Sequence, residues 1–144
     1  MKIRTSFVTN SSSSSFVIAY KTLPEIDEDT LKKYPILKNY SKLLEKALFA
    51  ESEYGETTAG EVYRTKEDWD EHFVDYWGWK DLNTPEKIIE DDPDLKDYYD
   101  NVIEYLEKGF NILYKQVDYC DDYCFNMIKE LAEDKDNFVI LEDE

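Results

Sequence analysis

Leu95, Tyr98, Tyr99, Val102, Ile103 and Leu106 recur at i, i+3, i+4, i+7, i+8 and i+11, the spacing that lines one face of a helix. Asp92-Pro93 precedes them as a cap and first-turn proline, and Gly109 follows as a stop. Trp69, Phe73 and Tyr76 mark a second helix, opened by Thr65 with Asp68 three residues on and ended near Gly78. Thr84-Pro85 starts a short one. Pro35 opens another, with Leu37, Tyr40, Leu44 and Ala47 at helical spacing and Leu43 and Leu48 beside them. Cys124, Met127, Ile128 and Leu131 share a face of a last helix, capped by Asp121 or Asp122. Residues 23–29 read as a turn and residues 51–63 as an exposed loop or hairpin ending in a short strand at EVYR.

Residues 2–8, 16–20, 110–119 and 137–141 read as strands, from partial alternation or compact β-branched and aromatic runs. Thr9–Ser15 would join the first two as a polar hairpin loop. The last two, with a helix between them, form a βαβ unit whose strands are expected to be parallel. The fold class is α/β (α+β): a small mixed sheet of about three to five strands with several helices packed on it. Residues 1–144 are read as a single domain: a serine-rich strand pair over 1–20, a mostly helical part over 21–109 and the βαβ unit over 110–144.

Charge changes the picture most. The chain has 17 Lys and Arg against 34 Asp and Glu, a net charge of −17. Residues 1–50 hold eight basic and five acidic residues, and residues 51–144 hold nine and 29. Without a long linker, that step separates faces rather than domains. So acidic a chain repels nucleic acid and anionic membranes and favours a basic protein partner. No run approaches the ~18 apolar residues of a membrane span, and Phe16–Tyr20 is too short for a signal-peptide core. The expected compartment is the cytoplasm. Cys120 and Cys124, four apart on a helix, are poorly placed to bridge each other.

Candidate chemistry is sparse. His72 is the only histidine, which excludes His-rich metal sites and weakens any Ser–His or Cys–His nucleophile; it is read as a surface or half-buried helix residue. Phosphate-binding glycine motifs are missing. Asp118, Asp121 and Asp122 follow a strand, where a Mg²⁺-type site is one reading and a helix cap with dipole-favoured acids the other. A nuclease-like pairing of Pro93-Asp94 with Glu133-Asp134-Lys135 would place its Glu and Lys at a helix end instead of on a strand. No cofactor is expected.

Two features point to a binding surface. Asp94, Asp97 and Glu104 lie opposite the apolar stripe of the 93–108 helix, with Asp100 and Glu107 flanking. Acids three or four apart on a helix stand about 5–6 Å from one another, comparable with phosphates along a DNA strand, whose rise is about 3.4 Å per base. Such a face can occupy a cationic nucleic-acid groove. Trp77 and Trp79 flank Gly78 at a helix end, so both rings are not expected to bury on one face; core packing of at least one is the first reading and an exposed interface aromatic the other.

The opening Arg4-Thr5-Ser6-Phe7-Val8-Thr9-Asn10, followed by Ser11, Ser12, Ser13, Ser14, Ser15 and Phe16, resembles one found on many small, otherwise dissimilar proteins of bacteria and their phages. The resemblance covers about the first 20 residues. It implies a setting of accessory genes, often phage or mobile-element cargo, in which small acidic inhibitors imitate DNA, and it carries no activity or site residue. The leading expectation is therefore a non-enzymatic acidic binding protein. Its acidic helix, the loop Asp118–Asp122 and the two tryptophans would engage a basic, nucleic-acid-binding protein. The rivals are a Mg²⁺-dependent enzyme using the 118–122 acids, and a regulatory module whose serines 11–15 accept phosphate.

Overall fold

The computed structural model describes residues 13–21, 27–51 and 56–143. The elements in order are β1 (Ser13–Tyr20), α1 (Glu28–Lys33), α2 (Ile36–Phe49), β2 (Glu61–Tyr63), α3 (Lys66–Trp77), α4 (Pro85–Asp91), α5 (Leu95–Glu107), β3 (Asn111–Asp118), α6 (Asp122–Leu131) and β4 (Phe138–Asp143). The four strands form one sheet in the order β2-β3-β1-β4.

Every ladder is antiparallel. β1 pairs with both β3 and β4, so those two run in the same direction, as the strand–helix–strand reading expects, but β1 lies between them. The crossover through α6 thus spans one intervening strand. The serines are the main revision at this level. Ser13–Ser15 are not the tip of a hairpin loop; they open the central strand, with Ser13 opposite Asp118 and Ser15 opposite Gln116. Ser11, Ser12 and the expected strand at 2–8 lie outside the described residues.

Strand periodicity explains the layers. Successive side chains of β1 point to opposite faces. Val17 and Ala19 join Trp69, Phe73, Ile88, Val102 and Ile112 in one core, which the helices α3, α4 and α5 cover. Phe16, Ile18 and Tyr20 join Leu48, Leu113, Val117, Cys124 and Ile128 in the other, covered by α2 and α6. The sheet is therefore sandwiched between two helical layers, and its central strand is apolar on both faces.

Local signals set the helix ends. The Thr65 hydroxyl accepts from the Asp68 N–H at 3.1 Å, and the Thr84 hydroxyl accepts from the Lys87 N–H at 3.2 Å with Pro85 in the first turn. Asp92 accepts from the Asp94 N–H at 3.3 Å, ahead of the first regular turn of α5. Gly109 follows α5 with φ of 90°, a left-handed stop that a glycine adopts without strain. α1 falls at the end of the expected 23–29 turn; Asp27 caps it by accepting from the Thr30 N–H at 2.8 Å.

Candidate functional site

A cleft of about 680 Å³ gathers titratable groups where α3 meets β2 and β3. It depends on the sheet order, which sets the edge strand β2 beside β3 and under α3. Four rings form its floor. The His72 ring lies 4.8 Å from Tyr63 and 4.8 Å from Tyr114, and stacks on Tyr76 at 5.9 Å. Beneath them the fully buried Trp69 indole is 4.9 Å from His72. The rim carries Glu61, Asp68, Glu71 and Asp75, and no basic side chain lines the cleft among the described residues.

Hydrogen bonding orders the floor. The Tyr63 hydroxyl donates to Glu61 Oε2 at 2.5 Å and lies 2.8 Å from His72 Nδ1. A hydroxyl has one hydrogen, so with it committed to Glu61 the Nδ1 must carry the proton of that second bond. Burial holds the His72 pKa below its ordinary value, against the opposing pull of Glu61 and Asp75, so at neutral pH the ring is uncharged. Burial likewise raises the Tyr63 and Tyr114 hydroxyls, helped by Glu61 at Tyr63 and by Tyr76 at Tyr114. The floor is thus neutral and aromatic, and the rim is anionic.

The residues singled out in the sequence fall elsewhere and separate into groups. Asp94, Asp97, Asp100, Glu104 and Glu107 are all exposed on α5, in the α3–α4–α5 layer. Asp100 pairs with Lys96, and Glu104 with Lys108 at 2.9 Å. The loop Asp118–Asp122 feeds α6 in the opposite layer, so the two acidic groups belong to different sides of the sheet.

Asp121 is also not a surface acid. It is 4% exposed, caps α6 through the Cys124 N–H at 3.2 Å, and accepts the Thr57 hydroxyl at 3.0 Å. Asp118 accepts from the Cys120 N–H at 2.8 Å, while Asp122 is exposed. The helix-cap reading of this loop is the one the geometry supports. Among the described residues no three His, Cys, Asp or Glu side chains are grouped to hold a metal ion. Of the tryptophans, Trp77 is half-buried against the core, and Trp79 is 59% exposed with Lys80 Nζ 4.4 Å from its ring. Ser13 and Ser14 are buried in the central strand, which closes their hydroxyls to a modifying enzyme in the folded protein.

Two buried features go unremarked in the sequence reading. Lys115 is fully buried on β3, its Nζ donating to the Ala50 and Thr58 carbonyls at 2.8 and 2.6 Å. Desolvation lowers its pKa, opposed by Cys124 and Asp121. Thr57, within the stretch expected to be an exposed loop, is 4% exposed and takes the Asp118 N–H at 2.9 Å. Alternation along β3 could have flagged Lys115, because Leu113 and Val117 on either side of it point into the same core.

No family model, curated protein or solved structure matches this chain. No helix among the described residues is long and apolar enough to cross a membrane.

Proposed function

We propose that this is a non-enzymatic, acidic binding protein that docks on a basic, nucleic-acid-binding protein and occupies its phosphate groove. One observation carries the reading. Residues 61–108 hold 16 acidic and six basic side chains, a net −10, and of those acids all but Asp70 and Asp92 are exposed. Most of them sit on the α3–α4–α5 layer. Residues 27–50, by contrast, hold four acidic and five basic residues and supply α1 and α2. Residues 119–137, which supply α6 to that same layer, hold six acidic and two basic residues, so both layers are acidic and the α3–α4–α5 side carries the larger share, where a cationic groove can meet it.

The proposal places the docking surface on α5, with Asp94, Asp97, Asp100, Glu104 and Glu107, and on the adjacent α3 and α4, with Trp79 at its margin. Asp118 and Asp122 are secondary, and Asp121 is structural. The N-terminal opening adds the setting: an accessory protein of a phage or mobile element, acting in the cytoplasm of a bacterial cell against a defence-type protein.

The test is capture from bacterial lysate with the full chain, followed by titration of the purified partner. The partner is expected to bind duplex DNA, and DNA should displace the acidic protein from it. Affinity should fall at least about tenfold between low and moderate salt, because several charge contacts are screened together. The Asp94→Asn/Asp97→Asn double variant should bind several-fold more weakly. Affinity indifferent to salt and to competing DNA would remove the reading.

A further inference from the structure

The acidic layer explains attraction to a cationic partner but not what the cleft beside it receives. That cleft differs from the rest of the layer in having an aromatic floor. The His72 ring touches Tyr63, Tyr76 and Tyr114, and Tyr76 touches Tyr114, with centroids 4.8 to 5.9 Å apart. The faces of such rings are electron-rich and attract a cation lying over them. The carboxylates at the rim supply charge and hydrogen-bond acceptors, and no lining side chain among the described residues competes as a cation.

We propose that the cleft between α3 and the β2–β3 edge is an arginine-binding site, taking one guanidinium from the basic partner as the anchor of the docked surface. This rests on the reading above and adds a specific contact to it. A guanidinium fits better than an ammonium: it is planar, stacks on aromatic faces, loses little hydration, and presents a donor fork to carboxylates such as Glu71 and Asp75. His72, kept neutral, does not repel it, and the Tyr63 hydroxyl is already held by Glu61 and His72. The floor therefore arrives pre-ordered, which lowers the entropy cost of binding. At about 680 Å³ the cleft exceeds one side chain, leaving room for the residues that flank the arginine.

The experiment is an NMR titration of the full chain with a capped Gly-Gly-Arg-Gly-Gly peptide and its lysine and citrulline counterparts. The arginine peptide should shift the His72, Tyr76 and Tyr114 ring resonances and bind about fivefold or more tightly than the lysine peptide. Citrulline, neutral and nearly the same shape, should not bind measurably. Asp75→Asn removes one rim charge from an exposed position and should weaken the arginine peptide about fivefold. Glu130→Gln removes the same charge from an exposed position on α6, in the opposite layer, and should leave binding within about twofold. Tyr76→Leu, which changes no charge, should also weaken it.

Equal losses in Asp75→Asn and Glu130→Gln, or shifts spread along α5, would reduce the effect to general attraction and overturn the site. Free guanidinium binding as tightly as the peptide would overturn the docking role in favour of a small-cation site. If the captured partner bound in a salt-dependent way but was indifferent to Asp75→Asn and Tyr76→Leu, the acidic-docking reading would stand and the arginine site would fall. No salt-dependent partner, with the peptide results intact, would leave the arginine site standing and remove the partner reading.

Discussion

At the scale of single residues, His72 shows how position overrides type. On α3 alone it is one polar residue beside an apolar face. Folded, it packs against Tyr63, Trp69, Tyr76 and Tyr114 and donates from Nδ1 to the Tyr63 hydroxyl oxygen. Its pKa is lowered from an ordinary 6.5, chiefly by burial. The unfolded chain takes up a proton there near that value, while the folded protein resists until lower pH. Stability from this group is therefore full above about pH 6.5 and is lost as pH falls below it. Urea unfolding of the protein and of His72→Phe should show the stability difference shrinking by up to about 1 kcal/mol between about pH 7.5 and pH 5.5. A difference constant across that range would show that the imidazole titrates alike in both states. Lys115 carries the same lesson in reverse: a lysine in a strand reads as solvent-facing, yet Leu113 and Val117 set its side as core, and the Ala50 and Thr58 carbonyls are what make its burial tolerable.

Elements divide by how local their causes are. Thr65, Thr84 and Asp121 cap helices that could be read from a few neighbouring residues, because a cap acts within one turn. The cleft could not be read that way. Its members come from β2, α3 and β3, and they meet only because β3 pairs with β2 on one side and β1 on the other. Nothing in residues 110–144 signals that β1 will insert between β3 and β4, since register over about a hundred residues is chosen by the two cores together. Glycines test the distinction between local and long-range causes. At Gly109 a Cβ meets nothing within 4 Å, but φ is +90°, so Gly109→Ala should cost only the local conformational strain, about 1 kcal/mol. At Gly60 a Cβ would stand 2.3 Å from the Leu48 carbonyl oxygen and 2.7 Å from Leu113 Cδ1. There the α2 end and β3 must separate, and Gly60→Ala should cost more than about 2 kcal/mol. Equal midpoint shifts for the two variants in denaturant would contradict the close approach at Gly60.

For the whole molecule, the decisive quantity is a charge of −17 distributed unevenly. Like charges crowded on the α3–α4–α5 layer repel one another in the folded state and are relieved when the chain expands. The ion pairs Lys66–Asp70, Lys96–Asp100 and Lys108–Glu104 are i,i+4 pairs, the last two on exposed faces where water and salt screen them, and they leave the layer's net −10 unchanged. Screening should therefore help the fold more than it harms those pairs. Raising sodium chloride from about 20 mM to about 500 mM shortens the screening length from roughly 20 Å to under 5 Å. The thermal midpoint should rise by several degrees, since about 1 kcal/mol shifts a domain of this size by about 2–8 °C. The same salt should weaken attachment to a cationic partner. Opposite responses of folding and binding to one variable are the expected signature of a surface whose charge is kept for an encounter at some cost to stability. A thermal midpoint that fell or stayed level with added salt would mean that attraction within the surface outweighs its repulsion, and that the acidic layer is not a strained one.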